Sequence, residues 1–252
     1  MSHWIEAPEA HAAFDAARAE VDAVLWNRHM RSTAVDVAAS SRVRGARDSA
    51  VIEGADLAFD DDSPMGRVVA AAQAVTDEVP GNLAPWSRAP LQVLAHLHAV
   101  VSASLGAADP GRPRVTDAAE DPLGIGGIPA ASALSGRLQE LARLVTRGGE
   151  LPALALAALV HGELMYLRPF TAGSGLIARA SIRLVIADRG VDPSLFTIPE
   201  LGILAQGRPA YVSAVRDYAS GERDRGIAYA RWFAAAIALG AQAATTGVPG
   251  QA

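Results

Sequence analysis

Apolar residues return at three- and four-residue intervals along almost the whole chain, a spacing that a helix satisfies and a strand does not. Within an alanine-rich stretch Phe14, Val21, Val24 and Leu25 share one face, which predicts an amphipathic helix over 10–31. The same reading predicts helices over 42–58, 91–105, 131–147, 152–166, 174–189, 208–219 and 225–244. Ser63-Pro64 opens one more, with serine as the cap and proline at the first helical position. Pro80, Gly81, Pro85 and Pro90 mark a loop, and Gly148-Gly149 stop the helix before them. The longest break is 106–130, where Gly106, Pro110, Gly111, Pro113, Pro122, Gly124, Gly126, Gly127 and Pro129 exclude any helix. Short stretches there, Arg114-Val115-Thr116 and Leu123-Gly124-Ile125, predict a small β-hairpin or an irregular flap. A loop this long in a compact domain tends to be functional or mobile. The expectation is one all-α domain over residues 1–252, a helical bundle with a single flap and a disordered tail over about 246–252.

Half of the 252 residues are hydrophobic and 19% are charged, which places the chain among globular proteins and not disordered ones. Lysine and arginine total 22 against 27 acids, a net charge of −5, so no broad basic field for nucleic acid is expected. Arg42, Arg44 and Arg47 read as a solvated helix face. With no cysteine, disulfides, thiol chemistry and cysteine-based metal sites are excluded, and a cytoplasmic location fits. Glu6, Glu9 and Asp15 interrupt the start where a signal peptide needs an apolar core. Leu151 to Val160 is about half of the ~20 residues a bilayer requires, so a buried helix and no membrane span is expected.

The most informative stretch runs from Leu164 to Arg179, LMYLRPFTAGSGLIAR. An apolar helix breaks at Arg168-Pro169, passes a short loop with Gly173 and Gly175, and enters a second helix. Glycines at a helix N-terminus let the backbone approach a ligand, and unpaired N–H groups and the helix dipole favour an anion there. Arg179, one turn in, is placed to reach such an anion. A tight helix–helix connection needing left-handed glycines is the alternative on the same residues.

Residues 168–179 resemble the signature of Fic/Doc (Fido) proteins, His-Pro-Phe-x-Asp/Glu-Gly-Asn-Gly-Arg-x-x-Arg. Pro169, Phe170, Gly173, Gly175 and Arg179 match without a gap. Arg168 stands at the histidine, Ala172 at the acid, Ser174 at the asparagine and Leu176 at the first arginine, with Thr171 at the free position. His161, seven residues upstream, and the turn Arg189-Gly190-Val191-Asp192-Pro193 are also similar to the family. A second stretch, Ser49-Ala50-Val51-Ile52-Glu53-Gly54, resembles the inhibitory-helix pattern Ser/Thr-x-x-x-Glu-Gly/Asn. The resemblance covers about 42–58 and 90–220. It implies a Fic-type helical bundle in which Ser49, Glu53 and Gly54 belong to an inhibitory helix and Glu53 pairs with Arg179, blocking the γ-phosphate of ATP.

Family enzymes transfer AMP, or another phosphate-containing group, to a protein hydroxyl, with the histidine as general base. A guanidinium keeps its proton across the accessible pH range, so the residue type at 168 cannot serve as that base; it suits a bidentate grip on an anion. Ala172 supplies no oxygen for the Mg²⁺ that the family's acid holds. Leu176 removes a cation, and Ser174 keeps some hydrogen bonding. Loss of a general base alone costs about 10²–10⁴-fold, so ordinary Mg²⁺-dependent AMP transfer is not expected. Arg168, Gly173, Ser174, Gly175 and Arg179 remain as candidate ligand-binding residues for a nucleotide or other phosphate, with no metal ligand and no catalytic residue assigned. Three functions follow: a pseudoenzyme that binds a nucleotide, phosphometabolite or target protein; a transferase with an altered phosphorylated donor; and a non-catalytic interaction module, homo-oligomeric or not.

Other residues read more plainly. His96 and His98, like His161 and Glu163, lie two apart on a helix and make poor metal pairs. His161 is expected to orient a helix through hydrogen bonds. Asp60, Asp61 and Asp62 read as a solvated turn, and Trp4, Trp26, Trp86 and Trp232 as packing residues. Tyr211, Arg216 and Tyr218 fall on a helix beside the site, Tyr211 chiefly as core. Arg112 and Arg114 are expected to be solvated flap residues.

Overall fold

The most apolar stretch of the sequence lies at the centre of the molecule, in a helix buried on every side. The computed structural model describes residues 4–56, 63–147, 149 and 151–246. Among these residues it is all-α, with no strand: α1 (Pro8–Trp26), α2 (Arg28–Ser32), α3 (Ala34–Ile52), α4 (Pro64–Asp77), α5 (Val79–Trp86), α6 (Pro90–Leu105), α7 (Leu134–Thr146), α8 (Ala153–Leu167), α9 (Ser174–Asp188), α10 (Pro199–Gln206), α11 (Arg208–Ala219) and α12 (Arg223–Thr246). Every residue from Leu154 to Met165 on α8 and from Leu176 to Ala187 on α9 is buried, as expected of helices with no solvent face. The two pack against each other as a hairpin, and α3, α4, α5 and α6 gather around α9. On the other side α1, α10 and α11 pack on α12. No helix of the described residues is long and apolar enough to cross a membrane.

Several boundaries differ from the sequence expectation, each for a local reason. The helix expected over 10–31 splits at Asn27, whose Oδ1 accepts N–H groups of His29 at 2.9 Å and Met30 at 3.4 Å and so caps α2. The helix expected over 42–58 begins eight residues earlier, at Ala34, and ends at Ile52. The loop expected around Pro80 and Pro85 is instead α5: Pro80 sits at the helix start, where a missing N–H costs nothing, and Pro85 sits next to the end. Helix α10, led by Pro199, was not anticipated. Residues 106–130 form an irregular flap, joined to the signature loop by Arg114 N–H to Pro169 O at 2.8 Å and Glu120 N–H to Thr171 O at 2.8 Å. Trp26 is 74% exposed and not a packing residue, with the Arg31 guanidinium 5.7 Å from its ring centre. Asp60, Asp61, Asp62 and the tail beyond residue 246 lie outside the described residues.

Two histidines are part of the core. His98 Nδ1 accepts the Gly111 N–H at 3.0 Å, so its Nε2–H points to Ser102 Oγ at 3.1 Å, and its ring stacks on Phe170 at 3.9 Å. His161 lies between two tyrosines, with Nδ1 2.9 Å from Tyr229 Oη and Nε2 2.8 Å from Tyr211 Oη. Tyr229 Oη donates to Ala158 O at 2.7 Å. It therefore accepts from His161 Nδ1–H, and His161 Nε2 accepts from Tyr211. Burial pushes His98 down to about 4. Burial, with the Arg179 charge nearby, pushes His161 down to about 3.

Both histidines are neutral in the native state and titrate near 6.5 when unfolded, so protons bind the unfolded chain first. The stability present above pH 6.5 is therefore lost as the pH falls from there toward 4, and urea denaturation midpoints should drop steadily between pH 7 and pH 5. A His98→Gln, His161→Gln variant should lose most of this acid dependence; an unchanged profile would assign it elsewhere. Packing gives a second test. A methyl group on Gly202 of α10 would collide with the Ala236 carbonyl of α12, whereas one on Gly81 of α5 meets nothing. Gly202→Ala should cost about 1–3 kcal/mol of unfolding free energy, and Gly81→Ala should be neutral or stabilising by about 0.5–1 kcal/mol.

Candidate functional site

The site begins where α8 ends. Arg168 takes a left-handed backbone conformation, φ 40° and ψ 67°, and Pro169 follows, so the helix cannot continue. For a residue with a Cβ this conformation costs about 1–2 kcal/mol, and buried contacts hold it. Arg114 of the flap, only 4% exposed, donates from Nε to Arg168 O at 2.9 Å and from Nη2 to Leu167 O at 3.2 Å and Pro129 O at 2.6 Å. It also donates from Nη1 to Thr116 O at 2.7 Å. Arg114 is thus a buried strut between flap and helix end, and not the solvated residue expected from sequence. Burial lowers its pKa, with Asp117 opposing and Arg168 adding to that shift.

The loop then turns through Gly173, left-handed at φ 70°, where a side chain would strike Val101. Ser174 Oγ donates to Phe170 O and accepts the Phe170 N–H, both at 3.2 Å, which closes the loop at the first residue of α9. The leading N–H groups of such a helix have no carbonyl behind them and favour an anion. Gly175 sits in that first turn because a side chain there would collide with the Glu53 carboxylate.

Glu53 caps the C-terminal end of α3. Its Oε1 accepts from Arg179 Nη2 at 2.5 Å, while Ser49 Oγ accepts from Arg179 Nε at 2.8 Å. The Ser49 carbonyl accepts a further bond from Nη2 at 3.3 Å. Arg179 is fully buried. Burial opposes its charge, yet Glu53 and the Tyr211 hydroxyl outweigh that, and its pKa is raised. Tyr211, fully buried, is pushed up to about 12 by burial, with Arg179 acting in the opposite direction. His161 stands behind Tyr211, so the ion pair is braced from the core by a string of oriented hydrogen bonds.

Arg168 faces the flap. Its Nη1 lies 3.0 Å from Asp121 Oδ2 and its Nη2 donates to the Gly126 carbonyl. Asp121 is itself fixed by accepting the Ile125 N–H at 3.0 Å and the Gly126 N–H at 2.8 Å. Burial would raise its pKa, but those two amides and Arg168 together lower it. Neighbouring Glu120 is raised by burial and by the Glu53 charge. Two arginines of α11 hold the flap from outside: Arg216 donates to Ile125 O at 2.9 Å and Gly124 O at 2.8 Å, and Arg208 donates to Pro122 O at 2.7 Å.

These elements line a partly open cavity of about 80 Å³ between flap, α3 and the α9 N-terminus. Arg168, Gly173, Ser174, Gly175 and Glu53 all line it, together with Glu120, Asp121 and the apolar Val68, Leu105, Leu123, Ile125, Met165 and Leu176. Arg179 and Ser49 lie one layer behind. Gly54 ends α3 at φ 97°, beside Arg208 and outside the cavity. Asp121 and Glu120 are site residues that the sequence reading missed; two acids in a glycine- and proline-rich segment carry no pattern. Ala172 offers no oxygen, and among the described residues no three acids or histidines are arranged to hold a metal ion. The position at which the resembled signature carries its acid therefore supplies no metal ligand.

No protein-family model and no curated protein sequence matches the chain. Solved structures do. A Fic family protein from Desulfovibrio desulfuricans G20 superposes with a TM-score of 0.73 at 14% identity, over 98% of this chain and 77% of that one. Fic-1 from C. elegans superposes with a TM-score of 0.72 at 15% identity, over 94% of this chain and 73% of that one. Identities this low speak for the fold alone, and on that ground the chain has the Fic fold.

Proposed function

We propose that this Fic-fold protein is a phosphate- or nucleotide-binding pseudoenzyme that lacks ordinary Mg²⁺-dependent AMP transfer. The observation that carries the reading is the ion pair between Arg168 and Asp121. The position that needs a proton acceptor holds a guanidinium already neutralised by a carboxylate, so neither group is available to take a proton from a target hydroxyl. Ala172 and the apolar Leu176 remove the metal ligand and a cation from the same loop. What supports retained binding is the α9 N-terminus, the glycines that leave it open, and Arg179 behind it. On this reading Glu53, with Ser49 and Gly54 on the inhibitory-type helix, occupies the place of the ligand's terminal anion. The partner is a nucleotide or phosphometabolite and, through it, a target protein, in a cytoplasmic setting where a cysteine-free chain is at home.

One observation favours a second reading, a non-catalytic interaction module. Both guanidiniums have carboxylate partners inside the protein, so the pairs also serve as permanent struts. Ligand response separates the two. Glu53→Gly should leave Arg179 buried with only the neutral Ser49 and Tyr211 groups beside it, a costly state that a bound anion relieves. In thermal denaturation with nucleotides, nucleotide sugars and inorganic phosphates, at least one compound should stabilise Glu53→Gly. At 100 times Kd the gain is about 2.7 kcal/mol, on the order of 5–10 °C for a chain of this size. No shift with any phosphate-bearing compound, in wild type or variant, would leave the interaction module.

Incubation with ATP and Mg²⁺ or Mn²⁺ should add no adenylyl mass to the protein or to a mixture of candidate targets. Arg168→His alone should not restore transfer, because positions 172 and 176 still lack the acid and the arginine. Robust adenylylation by the wild-type chain, read by intact-mass spectrometry, would reject the pseudoenzyme reading.

A further inference from the structure

Resting on the reading of the cavity as an anion site, we infer that Arg168 is the seat of a single phosphoryl-sized oxyanion, for which the Asp121 carboxylate stands in. Four observations lead there. Arg168 is 5% exposed and lines the cavity, yet its Nε is buried without a hydrogen-bond partner. Arg179 lies fully buried behind the cavity wall, with its Nη1 3.2 Å from where a Gly175 side chain would stand. Native proteins rarely leave a buried donor such as the Arg168 Nε empty, because each unfilled one costs free energy. The carboxylate now on Arg168 comes from the flap, a segment separate from the loop that carries the arginine.

Size and charge limit what replaces it. In the measure by which one water needs roughly 10–15 Å³, a cavity of about 80 Å³ holds one tetrahedral oxyanion with a few waters. Pockets that enclose drug-sized ligands span roughly 300–1,000 Å³. The cavity wall presents three carboxylates, Glu53, Glu120 and Asp121, against Arg168, with Arg179 behind. A polyphosphate would bring several more negative charges to that wall. An oxyanion that exchanges with Asp121 on Arg168 leaves the local balance nearly unchanged. Leu176 fits the same picture, since the wall beyond Arg168 is apolar and offers no second cation to a longer phosphate chain.

The test is calorimetric titration with inorganic phosphate, a phosphoserine-bearing peptide and ATP, on the full chain. Asp121→Asn keeps an acceptor for the flap amides but gives up the charge. It should bind inorganic phosphate at least about tenfold more tightly than wild type, and a second substitution, Arg168→Gln, should abolish the gain. Arg168→Lys in the same background retains charge, and a partial gain there is expected if the Gln variant folds poorly. A gain with phosphate alone marks a free anion; a gain with both phosphate and peptide marks a protein-borne phosphoryl group, and either supports the assignment. An equal or larger gain for ATP would overturn it, because that is the behaviour of a flap merely loosened. If Glu53→Gly gains phosphate affinity and Asp121→Asn does not, the inference about Arg168 fails while the anion cradle stands. If no variant binds any anion, the cradle itself is rejected, and this inference with it.

Discussion

A guanidinium with no exposed surface must have its charge answered inside the protein, and α9 makes that demand twice, one turn apart. Arg179 and Arg183 are both fully buried. The answer comes from α3, whose residues Ser41, Gly45, Ser49 and Glu53 recur every four positions and form one polar stripe. Ser41 and Ser49 accept from the two arginines, Glu53 pairs with Arg179, and Gly45 leaves room where a side chain would strike the Arg183 guanidinium. Glu200 of α10 completes the set with bonds of 2.8–3.1 Å to Arg183. Removing one partner of such a buried pair typically costs about 3–5 kcal/mol. The geometry of α3 against α9, and with it the place of Glu53 over the α9 N-terminus, is thus set by charge compensation as much as by apolar packing.

The same logic extends to the flap. An irregular segment with many glycines has little apolar surface to bury and must be held by hydrogen bonds to its backbone. Four arginines do this. Arg114 works from beneath, Arg168 from the end of α8, and Arg208 and Arg216 from α11. Arg208 and Arg216 bind flap carbonyls, and Arg114 does so while its Nη1 lies 3.9 Å from the exposed Asp117 carboxylate. Arg168 is different because Asp121 is its partner, and that pair joins the flap to the loop from which an anion would be held.

The helical frame was legible in the sequence because burial on one face writes a 3.6-residue period, clearest on α8 and α9, where the apolar residues surround the helix. The misses have physical causes. Pro85 reads as a breaker, but a proline next to a helix end disturbs little, so α5 exists where a loop was expected. Pro199 at the head of α10 belongs to the same class, in a helix too short to show its period. Arg114 reads as solvated because an arginine in a polar loop usually is; its burial depends on carbonyls from residues 129, 167 and 168, which no local pattern announces. The loop at Gly173, Gly175 and Arg179 was legible through its match to the signature, since the glycines alone also suit a tight helix–helix turn. Its acids on the flap were not, since Asp121 acquires a role only when the fold sets it against Arg168.

The substitutions in the loop also make sense together. Where the signature that this loop resembles has a histidine, Arg168 places a permanent charge on a side chain only 5% exposed, and such a charge needs a permanent partner. Leucine at position 176 joins Val68, Leu105 and Met165 in the apolar part of the cavity wall. An acid at position 172, 7% exposed in a neighbouring pocket that Glu120 also lines, would set a second carboxylate near the one already there. Alanine avoids it. Charge balance around the cavity thus bears on positions 168, 172 and 176 together, and under the proposed reading the loop is suited to a single paired anion.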